Sequence, residues 1–210
     1  MKKSQKLNRG AFINCPFDRQ YLPLLHAQVF AIHDAGFIAR CALEVVETGE
    51  ARLAKICRII DACCYGIHDL SRVETGKSGL PRLNMAFELG LFFGYKTSGN
   101  ARQRHKKILV LDSKRYRYLR TISDLAGRDA ECHSDSVKEL ITIVRNWLKT
   151  TSGLKNIPGG AAILRRYRQF QADLPGMLKL AKVSKREIQK LAFFSDYREF
   201  VIAWLETNPS

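Results

Sequence analysis

The chain has 210 residues, of which 46% are hydrophobic and 26% are charged, and a formal net charge of +15. This length accommodates one well-buried core, with or without a small appendage, so we expect a soluble globular protein. No run approaches the roughly 18 to 20 apolar residues of a spanning helix, and no signal-peptide apolar region follows the basic start. We therefore expect no membrane association and a cytoplasmic location.

The positive charge, with an isoelectric point near 9.8, suits an anionic partner such as nucleic acid, a nucleotide or a membrane surface, without choosing among them. Nine Lys or Arg residues against one acid, Asp112, lie between positions 96 and 120. Two interpretations of this basic segment stay open, a solvated surface and a phosphate-binding surface. The six cysteines lie mostly in apolar segments without metal-site spacing, so we expect reduced core thiols and no metal.

Short apolar runs alternate with helical patterns along most of the chain. Strands are predicted at residues 11–15, 37–43, 64–70, 107–112 and 129–133, with helices at 21–35, after 49, at 84–93 and at 137–148. The run KILVLD is continuous, as in parallel strands that are buried on both faces. The alternation predicts an α/β fold with a doubly wound sheet of about five strands.

After residue 150 the pattern changes. Residues 151–160 form the best linker, and only helical patterns follow, with a capping box at Ser184 and Glu187. We therefore divide the chain into an α/β domain, residues 1–150, and an all-helical extension, residues 151–210.

One part of the extension places three arginines beside two aromatic residues, namely Arg165, Arg166 and Arg168 with Tyr167 and Phe170. Such a group can stack on nucleic acid. We favour the alternative, an amphipathic helix whose aromatic residues face the core.

Polar residues follow the predicted strands. They are Asn14, Pro16, Phe17 and Asp18 after the first strand, Arg40 and Glu44 after the second, His68, Asp69, Ser71 and Arg72 after the third, and Asp112 after the fourth. In open parallel sheets, ligands bind beyond the carboxyl ends of the strands, so these residues are the candidate binding residues. Adjacent residues on a strand face opposite ways, and of His68 and Asp69 we expect Asp69 to enter the crevice.

Glu88 is the one carboxylate in the apolar helical run NMAFELGLFF. A buried carboxylate must be paired, be protonated or point into a cavity. If the helix begins near Asn84, Glu88 faces the same crevice. Two structural explanations compete with a catalytic role, namely a helix-start Glu stabilised by the helix dipole and an ion pair with Arg40, Arg72 or Arg82 across the crevice. With Asn84 as N-cap, however, a capping-box acid belongs at position 87, one residue earlier.

Common nucleotide and hydrolase motifs are missing. No G-x-G-x-x-G follows the first strand, and TGKSG at 75–79 lacks the first glycine of a P-loop. No G-x-S-x-G elbow is present either. A P-loop ATPase and an α/β-hydrolase are therefore disfavoured.

The segments FINCPFD, YGIHDLSR and NMAFELG, followed by ILVLD, resemble the nucleoside 2-deoxyribosyltransferase-like proteins and the related TIR-like domains. The resemblance covers about residues 10–135. It implies a flavodoxin-like sheet and a catalytic glutamate that handles the ribose, matched by Glu88. It also matches Pro16 and Phe17 to the Pro-Phe of the transferases, and Asp69 to the acid that helps hold the nucleoside.

One departure concerns the segment ahead of Glu88. The transferases usually carry Asp-x-Gly-Thr, whereas this chain has Arg-Leu-Asn-Met at 82–85. This departure argues against transfer to a second base and is compatible with N-glycosidic cleavage or nucleotide binding. We expect a donor such as Asn14, Ser71 or Asn84 to hold ionised Glu88.

A cluster of arginines, Arg40, Arg72 and Arg82, could grip the phosphates of NAD or another nucleotide. The leading hypothesis is an N-glycosidase acting on NAD, a nucleoside or a nucleotide, without a required cofactor, in a homo-oligomer and as an effector of bacterial defence. The first alternative is a nucleotide-sensing module whose basic tail contacts a partner. The second is a nucleic-acid-binding protein, for which +15 is the main argument.

Overall fold

The computed structural model describes residues 9–44, 50–72, 83–117 and 130–209. Five strands form one all-parallel sheet in the order β2-β1-β3-β4-β5. Their bounds are β1 Gly10–Asn14, β2 Ile38–Cys41, β3 Tyr65–Asp69, β4 Lys107–Asp112 and β5 Glu131–Cys132. This topology confirms the predicted flavodoxin-like α/β fold with C-terminal helices.

Helices flank the sheet on both faces. They are α1 Leu22–Asp34, α2 Arg52–Ala62, α3 Asn84–Ser98, α4 Ala101–Arg104, α5 Val137–Ser152, α6 Gly160–Leu180, α7 Lys185–Ile188 and α8 Phe194–Thr207, with a short 3-10 helix at Leu191–Phe193. Helix α3 runs five residues beyond its predicted end at residue 93, and β5 has only two residues. Among the described residues, no helix combines the length and apolar character that crossing a membrane requires.

Side chains on β1 alternate between two cores. Ala11 and Ile13 lie in the core that α1 and α5 cover, whereas Phe12 packs with residues of α2 and α3 on the opposite face. Because successive strand residues point to opposite faces, Asn14 shares the α2/α3 face with Phe12. The strand order reverses at β1, between β2 and β3, and this is the switch point where ligands bind in such sheets.

The helices of the extension pack on α1 and α5, and their apolar residues belong to the same core. Phe30 of α1 contacts the rings of Tyr167, Phe170 and Trp204. Phe170 is fully buried, which confirms the predicted aromatic core face of this helix. Whether residues 1–150 form a domain of their own stays a prediction. The predicted capping box of Ser184 and Glu187 is present at the start of α7.

Two cations, Arg166 of α6 and Lys106, stabilise the fold through different contacts. Arg166 donates to the carboxylate of Asp34, at 3.0 and 3.2 Å, and so joins α6 to α1. Lys106 is 1% exposed, and its ammonium donates to the carbonyl oxygens of Ile60 (2.6 Å) and Cys63 at the end of α2. Both cations therefore serve the fold.

Replacing Gly66 of β3 by Ala should destabilise the protein. The added Cβ would lie 2.7 Å from His68 Nε2 and 2.7 Å from Phe92 Cζ, both in the core between sheet and α3. Overpacking of this kind costs about 1–3 kcal/mol. Urea unfolding of Gly66→Ala measures the loss. Gly94→Ala is the control, because nothing lies within 4 Å of its Cβ and Ala favours the helix by up to about 1 kcal/mol. Equal stability of Gly66→Ala and wild type would contradict this packing.

Candidate functional site

The amide of Asn14 joins three elements at the carboxyl end of β1. Its Nδ2 donates to the backbone carbonyl of Met85 in α3 at 2.8 Å and lies 3.0 Å from His68 Nδ1 of β3. Asn14 and His68 are also paired in the register of β1 and β3. The start of α3 is thus attached to the two strands that flank the switch point.

These contacts fix the protonation of His68. The carbonyl of Met85 requires the amide nitrogen, not the oxygen, of Asn14 at this position, so His68 Nδ1 accepts and the ring carries its proton on Nε2. His68 is fully buried, its Nε2 has no hydrogen-bond partner among the described residues, and burial, with Lys106 nearby, lowers its pKa to about 3. A neutral, enclosed imidazole of this kind positions Asn14 and does not titrate near neutral pH.

Glu88 is the fifth residue of α3, because Leu83, not Asn84, is the N-cap. The backbone of Leu83 is already helical, and α3 has no acidic residue in its first turn. The helix-start explanation of Glu88 therefore does not apply. Asn84 is exposed, at the first helical position, where its side chain faces solvent.

The Glu88 side chain is buried without full hydrogen bonding. The residue is 3% exposed, and Oε2 has no partner among the residues that the structure describes. Burial raises the pKa of Glu88 to about 7, with a partly opposing effect of Arg52. The charge of Glu88 also contributes to the raised pKa of the Cys15 thiol, after burial, Asp69 and Cys41, so the two side chains interact electrostatically.

Two arginines that were candidates for pairing with Glu88 are bound elsewhere. Arg40 Nε donates to Glu44 at 2.6 Å. Arg72 donates to Gln20 at 2.6 Å and lies 3.5 Å from Asp18, in the loop after β1. The third candidate, Arg82, lies outside the described residues, so the proposed phosphate-gripping cluster of all three arginines stays a prediction.

Asp69 belongs to a different environment on the α1 face. Its carboxylate accepts from Tyr21 OH at 2.5 Å, from His133 Nε2 at 2.9 Å, from Ser71 N at 2.8 Å and from the Ser71 hydroxyl. The side chain of Asp69 is fully buried. These hydrogen bonds outweigh burial and lower its pKa. In this arrangement Asp69 ties together β3, the start of α1 and the segment after β5.

The group of Ser71, His133 and Asp69 is not arranged as a nucleophile relay. Ser71 Oγ and Asp69 Oδ2 both contact the same nitrogen, His133 Nε2, at 3.0 and 2.9 Å. In a relay, the acid contacts the other ring nitrogen. Here His133 Nδ1 accepts from the backbone N–H of Asp135 at 3.1 Å. The network therefore has the geometry of a structural anchor.

The structure brings some predicted binding residues together and separates others. Pro16 is buried, and Phe17 is half-buried between the cores of the two sheet faces, at the switch point. Asn14 and Glu88 lie with α3 on one face, whereas Asp69 and Ser71 lie with His133 on the other. His68 and Asp69 point to opposite faces, as strand alternation requires.

Sequence reasoning missed His133 and Tyr21. His133 follows β5 at the carboxyl edge, so the rule that selected the other residues applied to it as well. Tyr21 lies within a helical pattern and carries no comparable sign.

Comparisons with protein-family models, with curated proteins and with solved structures find no match. Fold and site define the chain as a flavodoxin-like α/β protein with a buried, incompletely hydrogen-bonded carboxylate near its switch point.

Asp69→Asn should destabilise the protein by about 3 kcal/mol at neutral pH, because an amide cannot accept from four donors and disrupts a buried charged network. The pKa of Asp69 is lowered on folding. Its contribution is therefore present above the unfolded carboxyl pKa of about 3.9 and is lost as pH falls through the lower folded value. Urea unfolding of both proteins between pH 3 and 8 measures this. A constant difference at every pH would contradict the assignment, and Asp173→Asn is a control on α6.

Proposed function

We propose that this chain cleaves the N-glycosidic bond of NAD or of another nucleoside or nucleotide, with Glu88 as the residue that acts on the ribose. The observation that carries the proposal is the carboxylate of Glu88. It is 3% exposed, its Oε2 has no partner among the described residues, and its pKa is about 7. A buried acid with a perturbed pKa near a switch point is a candidate functional group.

The chemistry suits a single carboxylate. As the C1′–N bond breaks, its electron pair leaves with the base and positive charge develops on the ribose. Ionised Glu88 stabilises this charge in a low-dielectric site, or attacks C1′ and is later displaced by water. Water supplies the new C1′ oxygen and loses a proton. With NAD, the pyridinium nitrogen takes the electron pair, so nicotinamide leaves neutral and needs no acid.

The surroundings of Glu88 contribute positioning. Asn14 holds the first turn of α3 through the carbonyl of Met85. Arg52, at the first position of α2, favours the ionised form of Glu88. The N-cap of this helix, Ala51, makes no side-chain cap hydrogen bond, and the positive end of the helix also favours a nearby anion. The resemblance of the NMAFELG segment to the transferase and TIR-like proteins supports the same residue.

A nucleotide sensor without catalysis is the second candidate. The observation that favours it is the complete hydrogen bonding of Asp69, the residue that the resemblance assigns to holding the nucleoside. Together with Arg-Leu-Asn-Met at 82–85 in place of Asp-x-Gly-Thr, it argues for a binding mode that differs from that of the transferases. A defence role remains a proposal by analogy, and homo-oligomer formation and a cytoplasmic location also remain proposals.

Glu88→Gln should abolish base release, by at least about 100-fold, because the amide cannot stabilise the ribosyl cation. Chromatography of products from NAD, nucleosides and nucleotides measures release. Glu199→Gln, at an exposed site on α8, is the matched control.

Above pH 7, Glu88→Gln should also be more stable than wild type, by up to roughly 3 kcal/mol, because it removes a carboxylate whose pKa folding raises. Activity lost with stability retained thus separates catalysis from folding. Tight nucleotide binding without base release by wild type would favour the sensor.

The pH dependence of NAD cleavage should report Glu88. The ionised form is the active one for a leaving group that needs no proton, so kcat/KM should rise with pH and level off above about 7. A kcat/KM for NAD cleavage that stays constant from pH 5 to 9 would show that Glu88 does not take part in the reaction.

A further inference from the structure

Most cations of the basic segment 96–120 are used by the fold. Lys96 donates to the carbonyl of Lys106, Arg102 pairs with Asp61 at 2.6 Å, Arg104 donates to the carbonyl of Gly99, Lys106 caps α2 and Arg117 pairs with Asp112. Arg120 lies outside the described residues. Three exposed cations have no ion pair with a described residue: Lys107, Lys114 and Arg115. Lys107 begins β4, whereas the other two follow its carboxyl end.

The turn at residues 113–117 is firmly attached to the sheet. Asp112, 1% exposed at the end of β4, accepts from Lys114 N at 3.2 Å and from the Arg117 guanidinium. Arg117 also donates to the carbonyl of Ser71, beyond β3, and to Ser113 Oγ at 3.1 Å. The turn therefore has a defined position beside the ends of β3 and β4.

Tyr116, inside this turn, has an unusual conformation. Its φ of 60° lies in the left-handed region, which disfavours residues with a Cβ, and its side chain is 67% exposed. The exposed ring gains little from burial that could offset this strain. Strained residues that the surrounding structure enforces cluster at ligand sites. An exposed aromatic ring beside two exposed cations is also the combination that binds a base and its phosphates.

We propose that the turn 113–117 is a subsite for a nucleoside phosphate, in which Lys114 and Arg115 bind phosphate oxygens and the ring of Tyr116 stacks on a base. The inference deepens the proposed function and rests on it for the substrate class. Strands β1, β3 and β4 are neighbours about 4.8 Å apart, so the turn lies about 10 Å along the sheet edge from the end of β1. A substrate with two nucleotide halves, such as NAD, is long enough to reach both places.

Calorimetric titration of the full chain with ADP, adenosine and pyrophosphate tests the subsite. Lys114→Gln/Arg115→Gln should weaken ADP and pyrophosphate by about 10-fold or more and leave adenosine unchanged. Tyr116→Gly should weaken ADP and adenosine by about 10-fold and leave pyrophosphate unchanged. The control Lys107→Gln/Lys149→Gln removes the same charge from two exposed positions, at the start of β4 and in the last turn of α5. It should leave the affinities for ADP, adenosine and pyrophosphate unchanged.

Thermal unfolding separates binding from structure at Tyr116. Glycine adopts a φ of 60° without steric strain. Tyr116→Gly should therefore raise the midpoint temperature of unfolding while it lowers the affinity for ADP. Undetectable ADP binding by wild type, unchanged ADP binding in both subsite variants, or an equal loss in the Lys107 and Lys149 control would overturn the inference. If ADP binding follows the expected pattern but NAD is not cleaved, only the proposed glycosidase fails. If NAD is cleaved with KM unchanged in the subsite variants, only the subsite fails.

Discussion

The two hydrogens of the Asn14 side-chain amide connect β1 to both β3 and α3 at the point where the strand order reverses. This connection depends on a neutral His68, which burial enforces, and on Gly66, whose lack of a Cβ leaves room for the His68 ring. The first turn of α3 consequently has a fixed height above the sheet. The position of Glu88, one turn further along, depends on the same contacts.

The two buried carboxylates Asp69 and Glu88, near the carboxyl ends of the strands, differ in hydrogen bonding and in the direction of their pKa shift. Asp69 accepts four hydrogen bonds and its pKa falls, whereas Glu88 Oε2 accepts none from the described residues and the pKa of Glu88 rises. The first arrangement stabilises the fold. The second costs free energy at neutral pH, since folding makes ionisation harder. A protein retains such a cost most readily where the group has a chemical task.

Alternation of apolar runs and helical patterns was enough to predict the sheet and the strand-end residues, because both depend on local sequence. The faces that His68 and Asp69 occupy depend on which helices lie on each side of the sheet, and this is a property of the topology. Arg40 does not pair with Glu88 because it pairs with Glu44. One partner of Asp69 is His133, which is 64 residues away in the sequence. Such competition among distant side chains has no local pattern.

The aromatic packing of α1 against the last helices has a consequence for synthesis of the chain. Phe30 lies in the first helix, yet it is covered by Tyr167, Phe170 and Trp204. During translation, α1 therefore presents an uncovered apolar face until residues 167–204 have left the ribosome. Contacts this far apart in sequence also form slowly, since a long loop must close first. Until these contacts form, the exposed apolar face of α1 favours aggregation of the nascent chain.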